Sequence, residues 1–233
     1  MTTLFLASVT SIDEARLAAG SGADIIDCKD PGQGALGALP VATVRQISEG
    51  LSGELIVSAT IGDLACEPSK VVEAARAMAE SGSDIVKIGF FPGGDARAVI
   101  TALGACGFPT VHLVGLLLAD FAPDFGLVEA MAKAGFAGVM LDTAGKTGGT
   151  LRDHLSPAQL SQFVTTAGAH GLFAGLAGSL RLSDIAPLMR LKPNILGFRG
   201  ALCEGARRTG PLSADAAGAV RAEMDRADLM FAG

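Results

Sequence analysis

The sequence predicts an α/β chain folded as a single (β/α)8 TIM barrel, and three observations lead to it. Short apolar runs of strand length alternate with longer amphipathic runs from one end to the other, the pattern of repeated βα units. The ends of eight such runs lie 21 to 33 residues apart, the spacing of a βα unit with short loops. No Pro/Ser-rich linker or block of charge divides the chain, so residues 1–233 read as one TIM-barrel domain. Eight right-handed crossovers in succession close most simply on themselves. A doubly wound sheet would need a reversal of strand order that nothing marks, and Ser8-Val-Thr-Ser-Ile-Asp stands where the glycine fingerprint of a dinucleotide fold would follow the first strand.

The strands are expected at residues 3–8, 24–29, 55–60, 85–89, 111–117, 137–142, 172–175 and 195–199, each an apolar run suited to burial on both faces. Between them, Ser11 with Glu14 has the form of a capping box, and Ser156-Pro157 with Gln159 adds a proline at the first helical position to a second box. Val71, Val72, Ala75, Met78 and Ala79 make a helical stripe that Ser81-Gly82 ends. Gly22-Ala-Asp-Ile-Ile-Asp and Gly82-Ser-Asp-Ile-Val-Lys echo one another as a helix stop feeding a strand.

Composition narrows the function. With 49% hydrophobic and 18% charged residues the chain is not of the disordered class. A formal charge of -6 supplies no basic field for nucleic acid, so any anion must be held locally. Four widely spaced cysteines without a C-x-x-C pair read as reduced thiols of a cytoplasmic protein. Neither a signal peptide nor a membrane helix is expected, since the apolar stretch around 111–119 is too short to span a bilayer. The expected partners are therefore small molecules, neither nucleic acid nor membrane, with a homo-oligomer left open.

In a barrel, the C-terminal strand ends and the loops after them build the active site. Of only six lysines, Lys29, Lys87 and Lys146 fall at or just beyond strand ends. Lys87 interrupts an otherwise apolar strand, where an ammonium must be paired or face a wet cavity and where burial favours the free amine. Asp27 and Lys29 alternate on one face of strand two, with Cys28 turned to the helices; Asp142 ends strand six, and Lys146 follows it. Ser8, Ser58 and Thr60 complete a polar layer. Amines among carboxylates suit Schiff-base formation on a carbonyl, with neighbouring groups moving protons; structural ion pairs rimming the barrel are the competing reading. Glycines at the ends of strands seven and eight make Gly178, Ser179, Gly200 and Ala201 candidate phosphate donors through backbone amides, tight turns being the alternative. Arg199, Arg207 and Arg208 are candidates for a second phosphate, or solvated cations. His112, His154 and His170 do not cluster, so no metal centre is indicated. Phe90-Phe91-Pro-Gly-Gly reads as a lid, an oligomer contact or ordinary loop packing.

The segments Asp27-Cys-Lys-Asp-Pro-Gly-Gln-Gly-Ala-Leu-Gly-Ala, Val57-Ser-Ala-Thr-Ile-Gly-Asp, Val86-Lys-Ile-Gly, Leu141-Asp-Thr-Ala-Gly-Lys, Leu176-Ala-Gly-Ser and Arg199-Gly-Ala-Leu-Cys resemble the (5-formylfuran-3-yl)methyl phosphate synthase family. The resemblance runs over nearly the whole chain. It implies a lyase of methanofuran (methylofuran) biosynthesis that joins two molecules of glyceraldehyde 3-phosphate with loss of phosphate and water. It also implies Lys29 as the Schiff-base lysine, with Asp27, Lys87, Asp142 and Lys146 as acid/base groups, and a reaction that needs no cofactor. The family's further lysine near strand five is missing from Phe108-Pro-Thr-Val-His; either that role is dispensable or His112 partly replaces it. A lysine-dependent aldolase of the deoxyribose-phosphate type and a non-catalytic phosphometabolite-binding barrel are the alternative functions.

Overall fold

The computed structural model describes residues 2–51, 53–145 and 148–231. Eight parallel strands close into a barrel in chain order: β1 (Leu4–Val9), β2 (Ile25–Cys28), β3 (Ile56–Thr60), β4 (Ile85–Phe90), β5 (His112–Leu118), β6 (Gly138–Asp142), β7 (Phe173–Leu176) and β8 (Ile195–Phe198). The last strand pairs back on the first, Leu4 against Ile195 through Ala7 against Phe198. Every strand begins and ends within one residue of its expected span. The helices are α1 (Ile12–Gly20), α2 (Val41–Leu51), α3 (Pro68–Ala79), α4 (Ala96–Cys106), α5 (Leu127–Lys133), α6 (Leu151–His154), α7 (Pro157–Ala169), α8 (Leu182–Met189) and α9 (Ala214–Phe231).

Alternation along each strand divides the core into two layers. Phe5, Ala7 and Val9 of β1 point outward to the helices, as do Ile26 and Cys28 of β2. Leu6, Ile25, Ile85, Val114, Leu116 and Met140 fill the barrel interior. This is why the strands read as continuous apolar runs: each residue meets one layer or the other. Phe5 meets Phe198 edge-on, with ring centroids 5.7 Å apart. Phe90, the last residue of β4, is buried in the outer layer and Phe91 packs on the inner one.

The sequence echo has a structural basis. Gly22 and Gly82 both take positive φ, +88° and +83°, which glycine adopts without a Cβ penalty. Two residues on, Asp24 accepts from the Phe5 amide at 2.7 Å and Asp84 accepts from the Val57 amide at 2.8 Å. Asn194 does the same for Ala174 at 2.8 Å. Just before β2, β4 and β8, a polar side chain thus satisfies the amide of the second residue of the strand before it.

The Ser156 box forms in full. The expected box at Ser11 forms only by half: Ser11 accepts from the Glu14 amide, whereas the Glu14 carboxylate accepts from the Thr10 amide and pairs with Arg199.

Replacing Phe5 by Ala removes a fully buried ring from the outer layer. The expected loss is about 3–5 kcal/mol, read as a lower urea midpoint at unchanged slope.

Candidate active site

Buried polar side chains Ser8, Asp27, Ser58, Lys87 and Asp142 replace apolar ones along the inner faces of β1, β2, β3, β4 and β6. Strand geometry brings Asp27 of β2, Lys87 of β4 and Asp142 of β6 to one face, and Lys29 follows β2, its amide still bonded to the Val9 carbonyl at 3.1 Å. Two ion pairs result. Lys87 Nζ lies 2.6 Å from Asp27 Oδ1, and Lys29 Nζ lies 3.0 Å from Asp142 Oδ2. All four side chains are buried and all four line one cavity of about 680 Å³.

The Asp27 carboxylate is well provided with donors. Beyond Lys87, Ser8 Oγ donates to its Oδ2 at 2.9 Å and Ser58 Oγ to its Oδ1 at 2.7 Å. Asp142 Oδ1 accepts from the Thr143 amide at 2.7 Å. Burial lowers the Lys87 pKa from its ordinary value; the Asp27 charge opposes this shift and the Lys29 charge adds to it. Lys87 therefore sits in an environment that makes loss of its proton easier than in water. The Cys28 thiol, turned to the helices as expected, is pushed up by burial and belongs to the packing.

The cavity wall opposite in character is backbone. Gly178 (φ +111°) and Ser179 (φ +50°) follow β7, and Gly200 and Ala201 open a 3-10 turn after β8. All four line the cavity. Among the described residues their amides donate no hydrogen bond. Gly178 cannot carry a side chain easily, since a Cβ there would stand 2.9 Å from Thr143 Cγ2 and 3.1 Å from the Thr143 amide nitrogen. Leu6, Leu116, Met140 and Ala177 supply an apolar floor.

Several expected site residues are placed elsewhere. Ser58 is fully buried behind Asp27, and Thr60 donates to the Gly37 carbonyl at 3.1 Å; both support the site from outside the cavity lining. Arg207 is exposed and not part of the wall. Arg199 reaches the wall but commits all five of its N–H groups internally. Its Nε donates to the Arg208 carbonyl, Nη1 to the Ser8 carbonyl and Glu14, and Nη2 to Glu14 and the Gly210 carbonyl. Arg199 is thus a structural cation, not a free phosphate donor. His112 opens β5 at the N-terminal face and is exposed there, so it does not stand in for a lysine at the opposite end of the barrel. Lys146 lies outside the described residues.

Two further carboxylates hold the loops around the site. Asp63, after β3, accepts from the Ala35 and Leu36 amides at 2.7 and 2.6 Å and so fixes the loop after β2. Asp120, after β5, accepts from the Ala144 and Gly145 amides at 2.9 and 2.6 Å and fixes the loop after β6. Their only local signal is a position shortly after a strand end; their partners lie 24 to 28 residues away.

Comparison with known proteins is decisive on kinship. A family model for 4-HFC-P synthase matches residues 5–221. The chain belongs to this family. A relative from Methylorubrum extorquens is 44% identical over 205 residues, covering 87% of this chain and 84% of its own; its name provisionally assigns it as a (5-formylfuran-3-yl)methyl phosphate synthase. The (5-formylfuran-3-yl)methyl phosphate synthase of Methanothermobacter thermautotrophicus is 34% identical over 229 residues, 91% of this chain and 95% of that one. Family membership makes the chain an enzyme. Among solved structures, 3-hexulose-6-phosphate synthase from Salmonella typhimurium superposes with a TM-score of 0.68 at 16% identity, covering 98% of this chain and 99% of that one, which speaks for the shared barrel alone.

Removing one partner of a buried pair leaves the other uncompensated. Lys87→Met is expected to cost about 3–5 kcal/mol in denaturant unfolding, and the double variant Asp27→Asn/Lys87→Met should recover most of that loss.

Proposed function

We propose that the enzyme joins two molecules of glyceraldehyde 3-phosphate into (5-formylfuran-3-yl)methyl phosphate, releasing one phosphate and two waters. The setting is the cytoplasm, in keeping with four free thiols, and the product is a precursor of methanofuran-type C1 cofactors. The observation that carries this reading is the pairing of Lys29 with Asp142 and of Lys87 with Asp27 in a cavity also lined by Gly178, Ser179, Gly200 and Ala201, whose amides donate no hydrogen bond among the described residues.

Asp142, 3.0 Å from Lys29 Nζ, takes the ammonium proton and frees the amine to attack a triose carbonyl. Loss of water gives an iminium, which acidifies the adjacent C–H. A base, Asp142 or Lys146, removes that proton and the phosphate leaves. The enol carbon left by phosphate loss adds to the C2 carbonyl of the second triose, first isomerised to its ketose form. Closure of that triose's C1 hydroxyl onto the first triose's C2 carbonyl and loss of two waters end in the aromatic furan, and hydrolysis returns the Lys29 amine. Lys87, held by Asp27, is the buried proton donor. Amides of Gly178, Ser179, Gly200 and Ala201 hold a substrate phosphate without a side-chain charge. One observation favours a second assignment within the same mechanism: burial lowers the Lys87 pKa, which would make Lys87 the attacking amine.

The chain has no tryptophan or tyrosine, so a furan chromophore is read against a low protein background. Incubation with glyceraldehyde 3-phosphate is expected to give equimolar furan and free phosphate. An aldol adduct without phosphate release would instead support the aldolase reading. Lys29→Arg should abolish turnover, since guanidinium cannot form an imine. Asp142→Asn should lower kcat by about 10²–10⁴-fold.

A further inference from the structure

The condensation brings two phosphates into one cavity, and the amide wall after β7 and β8 accounts for one. The four charged side chains on the floor cancel: two ammonium groups against two carboxylates. A second phosphate dianion therefore needs a cation from elsewhere in the wall. Arg199, which the sequence offers, has no N–H left to give.

Arg208 has the opposite accounting. Among the described residues, the one hydrogen bond of its guanidinium runs from Nη2 to the Gly34 carbonyl at 2.8 Å, and it forms no ion pair. Of five N–H groups, four remain without an acceptor, and the side chain lines the cavity. The carboxylates that act on it are already engaged. Asp142 holds Lys29, Asp63 accepts two amides, and Asp30 accepts the Gly32 amide at 2.8 Å. Partial burial lowers the pKa of this guanidinium from its ordinary value, a cost that a bound dianion would offset.

The side chain is also held at both ends. At its root, the Arg208 and Gly210 carbonyls accept from Arg199 at 2.8 and 3.0 Å, and Glu14 locks Arg199 from β1's side at 2.6 and 3.2 Å. At its tip, the Gly34 carbonyl is fixed by the Asp63 clamp on the next two amides. Gly34 has φ +123°, and a Cβ there would lie 2.3 Å from Asp63 Oδ2, so the clamp requires glycine. Such fixing of a long cation before a ligand arrives reduces the entropy lost on binding. The Arg208 root lies beside Gly200, with its Cβ 3.9 Å from where a Gly200 Cβ would stand, while its tip reaches the loop after β2.

We propose that Arg208 is the ligand of a second phosphate, in a subsite between the loops after β2 and β8 and distinct from the amide wall at Gly178 and Ser179. The inference deepens the condensation reading, and rests on it for the identity of the phosphate's owner. Its test does not require turnover. The full chain, labelled with ¹⁵N, is titrated with inorganic phosphate while the Gly178 and Ser179 amides and the Arg208 Nε–H are followed by NMR. Both sets should shift, with separate saturation constants. In Arg208→Met the Gly178 and Ser179 response should persist with its constant unchanged, while the amides of Gly34 and Gly210 stop responding. Arg208→Lys, which keeps a charge without the planar fork, should retain a second site weakened about tenfold or more. If phosphate leaves the Arg208 signal unmoved in the unmodified chain, the proposal is overturned. It is equally overturned if Arg208→Met remains folded but loses the Gly178 response, since Arg208 would then be only a strut between the two loops. Two phosphate sites in a chain that makes no furan would refute the condensation and leave the subsite standing.

Discussion

Two ammonium–carboxylate pairs packed side by side inside a barrel are an expensive arrangement. Desolvating each ion costs several kcal/mol, and mutual attraction recovers this only if the remaining lone pairs and protons are also satisfied. Much of the upper barrel follows from that requirement. Ser8 and Ser58 stand on either side of Asp27 as donors, Thr143 presents its amide to Asp142, and the two pairs together carry no net charge. Apolar residues of similar size often stabilise a fold at least as well, which supports our proposal that the pairs serve chemistry.

A second regularity governs the loops above this layer. Asp63 and Asp120 each accept two successive backbone amides of a neighbouring loop, and Glu14 joins the Thr10 amide to Arg199. Each carboxylate sits just past one strand and ties down a segment belonging to another part of the chain. In Glu14, burial acts to raise the pKa, but the hydrogen bonds and charge of Arg199, with Thr10, hold it below the ordinary carboxylate value. The mouth of the barrel is thus stiffened by charge-assisted bonds to backbone, which leaves its own side chains free to face the cavity.

Much of this was legible in the sequence because the barrel writes its order locally. A strand buried on both faces is a continuous apolar run, and a lysine or aspartate inside such a run, as at Lys87 or Asp27, has few places to go but the mouth. What was illegible is everything decided by a distant partner. Glu14 has the spacing of a capping box with Ser11, yet its carboxylate is claimed by Arg199, 185 residues away. Arg199, Arg207 and Arg208 look alike in sequence. One is consumed by internal acceptors, one is exposed and one reaches the cavity, and only the fold of the loop after β8 separates them. His112 was a candidate by proximity to strand five, but it opens that strand and so lies at the wrong end.

The central claim is a division of labour between two similar amines, with Lys29 attacking the substrate and Lys87 remaining its buried, protonated neighbour. The direct test is borohydride reduction of the enzyme in the presence of glyceraldehyde 3-phosphate, followed by peptide mass mapping. The account predicts a reduced adduct confined to the peptide that contains Lys29. An adduct on Lys87, or none while furan is still formed, would contradict it.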